Sequence, residues 1–308
     1  MADLLEIIEK LQDTQAAMAR LQGSIAQNPD EQSLIPALNS LRKRQQSLEK
    51  QFAEAASRHE IDVCSYRLFT ESQDRPTLRA LTAALSDFQA WFTQTYNAIK
   101  KGPRERDRVT ADVLSETSFG YGYSFTGSVG FVLTLPNEKL LIGETDLDRT
   151  MMMLSEMVKA ESPDQIVAFK NELGLAPIRT MYKWAADHVF SGLGAEIQWR
   201  REQTVRAGLF VQHPQLESLT RAIARTSEVV ENEFEVEGQL VGIDSKYKTF
   251  HLEVKGIPDI KGKTLVEIDP EHPIIFPAFY KARIKTETII HYSTEKEEVS
   301  YFLLSLED

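Results

Sequence analysis

The sequence predicts an α+β protein of three segments: an N-terminal antiparallel coiled-coil hairpin (1–60), a central α+β domain around an antiparallel sheet (61–232), and a small five-stranded β-barrel of the OB or SH3-like kind (233–308). Three observations predict it. Apolar residues recur in alternating steps of three and four over the first sixty positions, strand and helix periods alternate from 61 to 232, and only strand period remains after Phe234.

In the first segment Leu4, Ile7, Leu11, Thr14, Met18, Leu21 and Ile25 form one seam, and Leu34, Leu38, Leu41, Gln45, Leu48, Phe52 and Ala55 form another. The turn at Asn28-Pro29-Asp30 is too short for anything but antiparallel arms, and Ser33 as N-cap would place Pro36 harmlessly in the first helical turn. Leu5 and Ile8 lie beside the first seam and Ile35 beside the second, which leaves apolar surface for another helix. The expected interaction residues are therefore Leu5, Ile8, Leu41, Leu48 and Phe52.

The central segment opens with a strand, Ile61–Phe69, followed by a helix begun by Pro76 and carrying Leu78, Leu81, Leu85, Phe88, Phe92, Tyr96 and Ile99 on one stripe. Lys100–Asp112 is charged and nonperiodic, as an exposed loop would be. Residues 119–126 and 129–135 form a hairpin across Gly127-Ser128, a pair suited to a tight turn. Helices are expected at 146–160, 163–173, 177–190 and 214–231, with a second hairpin at 195–200 and 205–211. The capping pattern of Thr145 with Asp148 and the pair Ser162-Pro163 mark two of the helix starts. In the last segment the strands are 234–243, 249–255, 263–268, 279–291 and 298–306, and so small a sheet must close or dock to avoid an open edge.

Composition narrows the function. No run approaches the roughly 18 apolar residues of a membrane span, and MADLLEIIEK is acidic and periodic, unlike an export leader. A single cysteine, Cys64, in an apolar stretch reads as a small core hydrophobe and allows no internal disulfide, so a reducing cytoplasm is expected. The net charge of −11 divides as −1 over residues 1–112, −4 over 113–232 and −6 over 233–308, a sign that disfavours general nucleic-acid binding.

Several segments resemble known motifs and depart from them. Gly256–Thr264 resembles a phosphate-binding Walker A loop, yet five residues separate its glycines and a strand follows where a helix is required. Asp244 with Glu253-Val254-Lys255 resembles a metal-dependent nuclease signature. A hairpin turning over 245–248 separates those carboxylates by about 13 Å, too far to share an ion. The same register pairs Ile243 with Phe250 and Val241 with Leu252, and leaves Asp244, His251 and Glu253 in solvent. Glu144, Asp146 and Asp148 have calcium-loop spacing, but Arg149 replaces the needed glycine and a helix N-terminus accounts for the acids. The histidines show no HxxxH spacing, so no metal and no cofactor is assigned.

The stretch Phe119-Gly120-Tyr121-Gly122-Tyr123-Ser124-Phe125 places aromatics at alternate positions, all on one face of a regular strand. Gly120-Tyr121-Gly122-Tyr123 resembles the centre of the RNA-recognition-motif signature, although Phe119 and Ser124 depart from it. Core packing is the favoured reading, with Tyr121, Tyr123 and Phe125 as the alternative ligand platform. Arg42, Lys43, Arg44, Lys100, Lys101, Arg104 and Arg106 are the places where nucleic acid would bind.

Because the best-formed signal is an interaction element and every catalytic motif fails on spacing or context, the expectation is a noncatalytic assembly or adaptor protein acting through hairpin and barrel. Its partner would be another protein or a second copy engaged through residues 1–60, with no membrane involvement. The alternatives are a single-stranded nucleic-acid-binding module using strand 119–125 and loop 100–108, and a metal-dependent nuclease or other hydrolase with scattered acidic residues.

Overall fold

Alternate positions along Ile61–Thr70 (β1) are buried at Asp62, Cys64, Tyr66 and Leu68, the period-2 signature of a strand with two unlike faces. The computed structural model describes residues 2–28, 32–70, 76–125, 129–137, 143–201, 204–267, 274–294 and 296–307. Among these the protein is mixed α+β with eight α-helices and two sheets, and its internal contacts divide it into residues 1–225 and 226–308. No helix of the described residues is long and apolar enough to cross a membrane.

In residues 1–225 β1 is the middle strand of an antiparallel sheet. Its companions are β2 (Gly120–Phe125), β3 (Val129–Pro136), β4 (Leu193–Arg201) and β5 (Thr204–Val211), in the order β2-β3-β1-β4-β5. The turn expected at Gly127-Ser128 lies outside the described residues. On the first face the register aligns Cys64 with Leu133 and Trp199, and Tyr66 with Phe131 and Ile197.

Six helices follow the hairpin: α3 (Leu78–Lys101), α4 (Ala111–Thr117), α5 (Asp146–Met157), α6 (Pro163–Leu173), α7 (Leu175–Phe190) and α8 (His213–Ala224). The aromatic stripe of α3 meets the first face through Phe88 stacked on Tyr66 and Phe92 on Trp199, while Trp91 packs on Trp184 of α7. Thr77 caps α3, and reciprocal capping boxes start α5 at Thr145 and α6 at Ser162. The loop expected over 100–112 is shorter than its charge implied. α3 runs through Lys101 and α4 begins at Ala111, and between them Arg104 joins its backbone to Leu173 and Ala176, an approach that requires the Cβ-free Gly174 at φ +83°.

The first two helices, α1 (Ala2–Gln27) and α2 (Ile35–Arg58), run antiparallel, since Leu4, Ile7 and Leu11 share a core cluster with Leu48, Phe52 and Ala55. Ser33 is not the cap of α2: a 3-10 turn at Gln32–Leu34 precedes the helix, and Leu34 occupies the capping position without a side-chain bond. The hairpin cluster also takes in Tyr123 and Val132, so the root of the hairpin is part of the core of residues 1–225.

The helix expected over 214–231 ends at Ala224. β-branched Val229 and Val230 enter β6 (Ser227–Asp244), which continues without a break through Glu231-Asn232-Glu233. The acids there alternate along a strand face and pair with the neighbouring strand through Lys285–Glu231, Arg283–Glu233 and Lys281–Glu235. The division expected between residues 232 and 233 therefore falls mid-strand.

Residues 226–308 form the second sheet, with β7 (Thr249–Glu253), β8 (Ile260–Thr264), β9 (Ala278–His291) and β10 (Glu297–Glu307). Each of the five strands hydrogen-bonds to two others in the order β10-β8-β7-β6-β9, and β9 returns to β10, which closes the ring. Leu240, Leu252, Ala282, Ile284 and Leu303 fill its interior. The expected pair Val241/Leu252 is displaced: a bulge at Val241 sets Leu240 opposite Leu252 and turns Val241 outward.

Candidate functional site

On the second face of the first sheet the hairpin root packs against Tyr123 of β2, Val132 of β3 and the partly buried Ile61 and Val63 of β1. A groove of about 640 Å³ remains between α2 and the rest of that face. Gln46, Glu49, Lys50 and Ala53 of α2 form one wall, and Ser65, Arg67, Glu196, Gln198 and Arg200 of β1 and β4 form the other. Val63, Tyr123, Phe125 and Val132 supply its apolar part.

Arg67 Nη1 lies 3.2 Å from Glu196 Oε2, and Arg200 Nη2 donates to Gln198 Oε1 at 2.7 Å. Burial raises the Tyr123 phenol far above its ordinary range and keeps it neutral. Among the described residues the lining offers hydrogen bonds, ion pairs and apolar contact, with two hydroxyls, those of Ser65 and the Tyr123 phenol, and no imidazole or thiol beside them. Such a surface is suited to recognition. Arg67, Glu196, Gln198 and Arg200 drew no attention in the sequence because they lie about 130 residues apart on two strands. Their only signal is polar alternation, with Ser65 and Arg67 on β1 and Glu196, Gln198 and Arg200 on β4.

Of the expected interaction residues, Leu48 and Phe52 are buried in the chain's own core, and Ile8 packs against that cluster. Leu41 is half-buried along the seam, and Leu5 is exposed at 62%. The surface that sequence periodicity left over at Ile8 is thus taken up by this chain's own core rather than by a further helix.

The aromatic stretch does not present one face. A β-bulge between Tyr121 and Tyr123 sets Tyr121 opposite Leu133 but Tyr123 opposite Val132, so the run switches sides at Gly122. Phe119 joins Phe88, Phe92 and Trp199 on the first face, and Tyr121 stays exposed beside Leu133. Tyr123 meets Phe52 edge-to-face at 5.2 Å, and the Phe125 ring covers Gly130, both on the second face. Only Tyr123 and Phe125 reach the groove, so the three-residue platform is not assembled.

The basic groups differ in their surroundings. Arg42, Lys43 and Arg44 are exposed on α2. Lys100 is held by Glu116, Lys101 pairs with Asp112 at 2.8 Å, and Arg104 donates to the Lys101 carbonyl oxygen, while Arg106 is exposed. The row of cations in 100–106 is thereby partly neutralised by α4, an element that the sequence reading did not anticipate.

The acidic motifs resolve into local structure. Asp244 accepts from the amides of Lys246 and Tyr247 and lies opposite Thr249, whereas Glu253 lies opposite Gln239. Residues 260–264, within Gly256–Thr264 itself, are strand, whereas 265–267, expected to follow it as strand, are not, so that segment forms no phosphate loop. Asp148 closes the capping box of α5 and, with Asp62, holds Arg201 in a buried network. Arg201 Nε and Nη2 reach Asp62 at 2.8 and 2.7 Å, and Nη1 reaches Asp148 at 2.9 Å. Burial raises the Asp62 carboxyl and the Arg201 guanidinium opposes that rise. A second buried set joins Tyr66, Trp184 and His188, in which Trp184 Nε1 donates to Tyr66 Oη at 2.8 Å and Tyr66 Oη lies 3.0 Å from His188 Nε2. Both sets satisfy core polar groups behind the first face.

No protein-family model, curated protein or solved structure matches the chain.

Proposed function

We propose that this chain is a noncatalytic assembly or adaptor protein whose helical hairpin pairs with the hairpin of a second copy. The observation that carries the reading is the division of charge between the two hairpin helices. Residues 2–27 carry four acids and two bases, whereas residues 35–58 carry two acids and five bases. Glu6, Glu9 and Asp13 are exposed on α1, and Arg42, Lys43 and Arg44 are exposed on α2.

A two-fold axis would lay each α1 against the other copy's α2, so one complementary contact is made twice. Exposed Leu5 and Ile35 add apolar area to that contact. The three-and-four spacing of the seam supports an antiparallel coiled coil, and the closed five-strand ring supports a small barrel of the OB or SH3-like kind as a second module. The groove along α2 supports the adaptor part of the reading, because its mixed lining suits a polar segment of another protein.

Charge reversal tests the pairing. Arg42→Glu with Lys43→Glu and Arg44→Glu should yield a monomer, as should Glu6→Lys with Glu9→Lys and Asp13→Lys. Mixing the two variants should restore a dimer that weakens with salt. Two monomeric variants that ignore each other would remove the electrostatic pairing.

A further inference from the structure

We propose that His251, Glu253 and Asp259 form a binding site for a first-row divalent cation of the zinc type on the surface of residues 226–308. The strand geometry brings them together. His251 and Glu253 are two apart on β7 and so share one face, and the β7–β8 register pairs His251 with Lys261 and Leu252 with Ile260. One step further, Glu253 faces Asp259. The ligand atoms of the three side chains all lie within 4.8 Å of one another, and His251 Nε2 is 2.9 Å from Asp259 Oδ2.

A cation with bonds of about 2.1 Å sets its neighbouring ligand atoms about 3.0 to 3.4 Å apart, so small side-chain rotations would complete three positions. β7 is hydrogen-bonded on both sides, to β6 and β8, which fixes the backbone under two of the three ligands. Like charges directly opposite each other across a sheet are unfavourable, and Glu253 with Asp259 is such a pair. A divalent ion would relieve it.

One imidazole nitrogen with two carboxylates favours zinc, nickel or copper over magnesium and calcium, which prefer oxygen alone. Lys261, beside His251, opposes the ion and tempers its affinity. The remaining coordination positions face solvent, since Glu253 and Asp259 are exposed and His251 is half-buried, and are open to water or to a carboxylate of another molecule. From the hairpin register alone His251 and Glu253 face solvent with no third ligand. Asp259 arrives from just before β8, outside any short spacing motif.

The test is calorimetric titration of the full-length chain, stripped with chelator, using zinc chloride alone as the probe. One equivalent should bind with a dissociation constant below about 100 μM and release protons. His251→Ala and Asp259→Asn, both on the surface and expected to keep the wild-type circular dichroism, should each weaken that equivalent by about tenfold or more. Magnesium chloride should bind far more weakly. No saturable zinc binding up to about 1 mM, or equal zinc affinity in wild type and His251→Ala, would overturn the assignment.

Discussion

Gly122 shows how one residue directs the surfaces around it. It lies at the bulge where the aromatic strand changes sides, and a Cβ built there would lie 2.9 Å from the Val132 carbonyl oxygen and 3.6 Å from the Phe52 ring. Gly122→Val should therefore destabilise folding by about 1 to 3 kcal/mol, measurable by urea denaturation. An unchanged midpoint would mean that the hairpin root does not press on β2. Titration gives a second residue-scale expectation. Burial lowers the His188 imidazole to about 4, so the folded protein holds it neutral while the unfolded chain protonates it below its ordinary value of 6.5. Its contribution is complete above that value and lost as pH falls toward 4. Burial also raises Asp87 to about 6, which has the opposite sign: its contribution grows as pH falls from about 6 toward 3.8. Calorimetric melting between about pH 7 and about pH 4.5 should show a smaller loss on acidification for His188→Gln than for wild type, and a larger one for Asp87→Asn. Equal losses in all three proteins would mean that neither group governs the acid limb.

At the scale of elements, periodicity was legible where a single face decides burial. The seam positions expected on α1 are buried from Leu4 to Met18, and β1, α3, α6 and the β4–β5 hairpin lie close to their expected spans. What escaped the sequence depends on contacts between distant segments. The bulges at Gly122 and Val241 each shift a face by one residue, α4 is seven residues of mixed polarity, and the groove draws on α2, β1 and β4 together. Strand 227–233 reads as helix or linker because its acids find Lys285, Arg283 and Lys281 only after β9 has folded beside it. Leu48 marks the same limit. It sits in one cluster with Ala55, Tyr123 and Val132, so Leu48→Asp should unfold residues 1–225 as a unit rather than release a separate hairpin. Circular dichroism and tryptophan fluorescence should be lost together on mild heating, as all three tryptophans lie within that unit. Loss of helix with the tryptophan signal intact would show the hairpin to be an independent appendage.

For the whole molecule, net charge conceals the feature on which the functional reading rests. Residues 1–112 sum to −1, yet the two hairpin helices within them carry opposite signs on exposed positions. Neutral sums of this kind favour self-complementary pairing over attraction to a uniformly charged polymer, because each copy carries both halves of the contact. The most direct test is multi-angle light scattering of the intact chain at about 100 μM, in low salt and again near 1 M salt. A dimer of the 34.9 kDa chain at low salt that dissociates at high salt is the expected result. A monomer under both conditions would contradict the account.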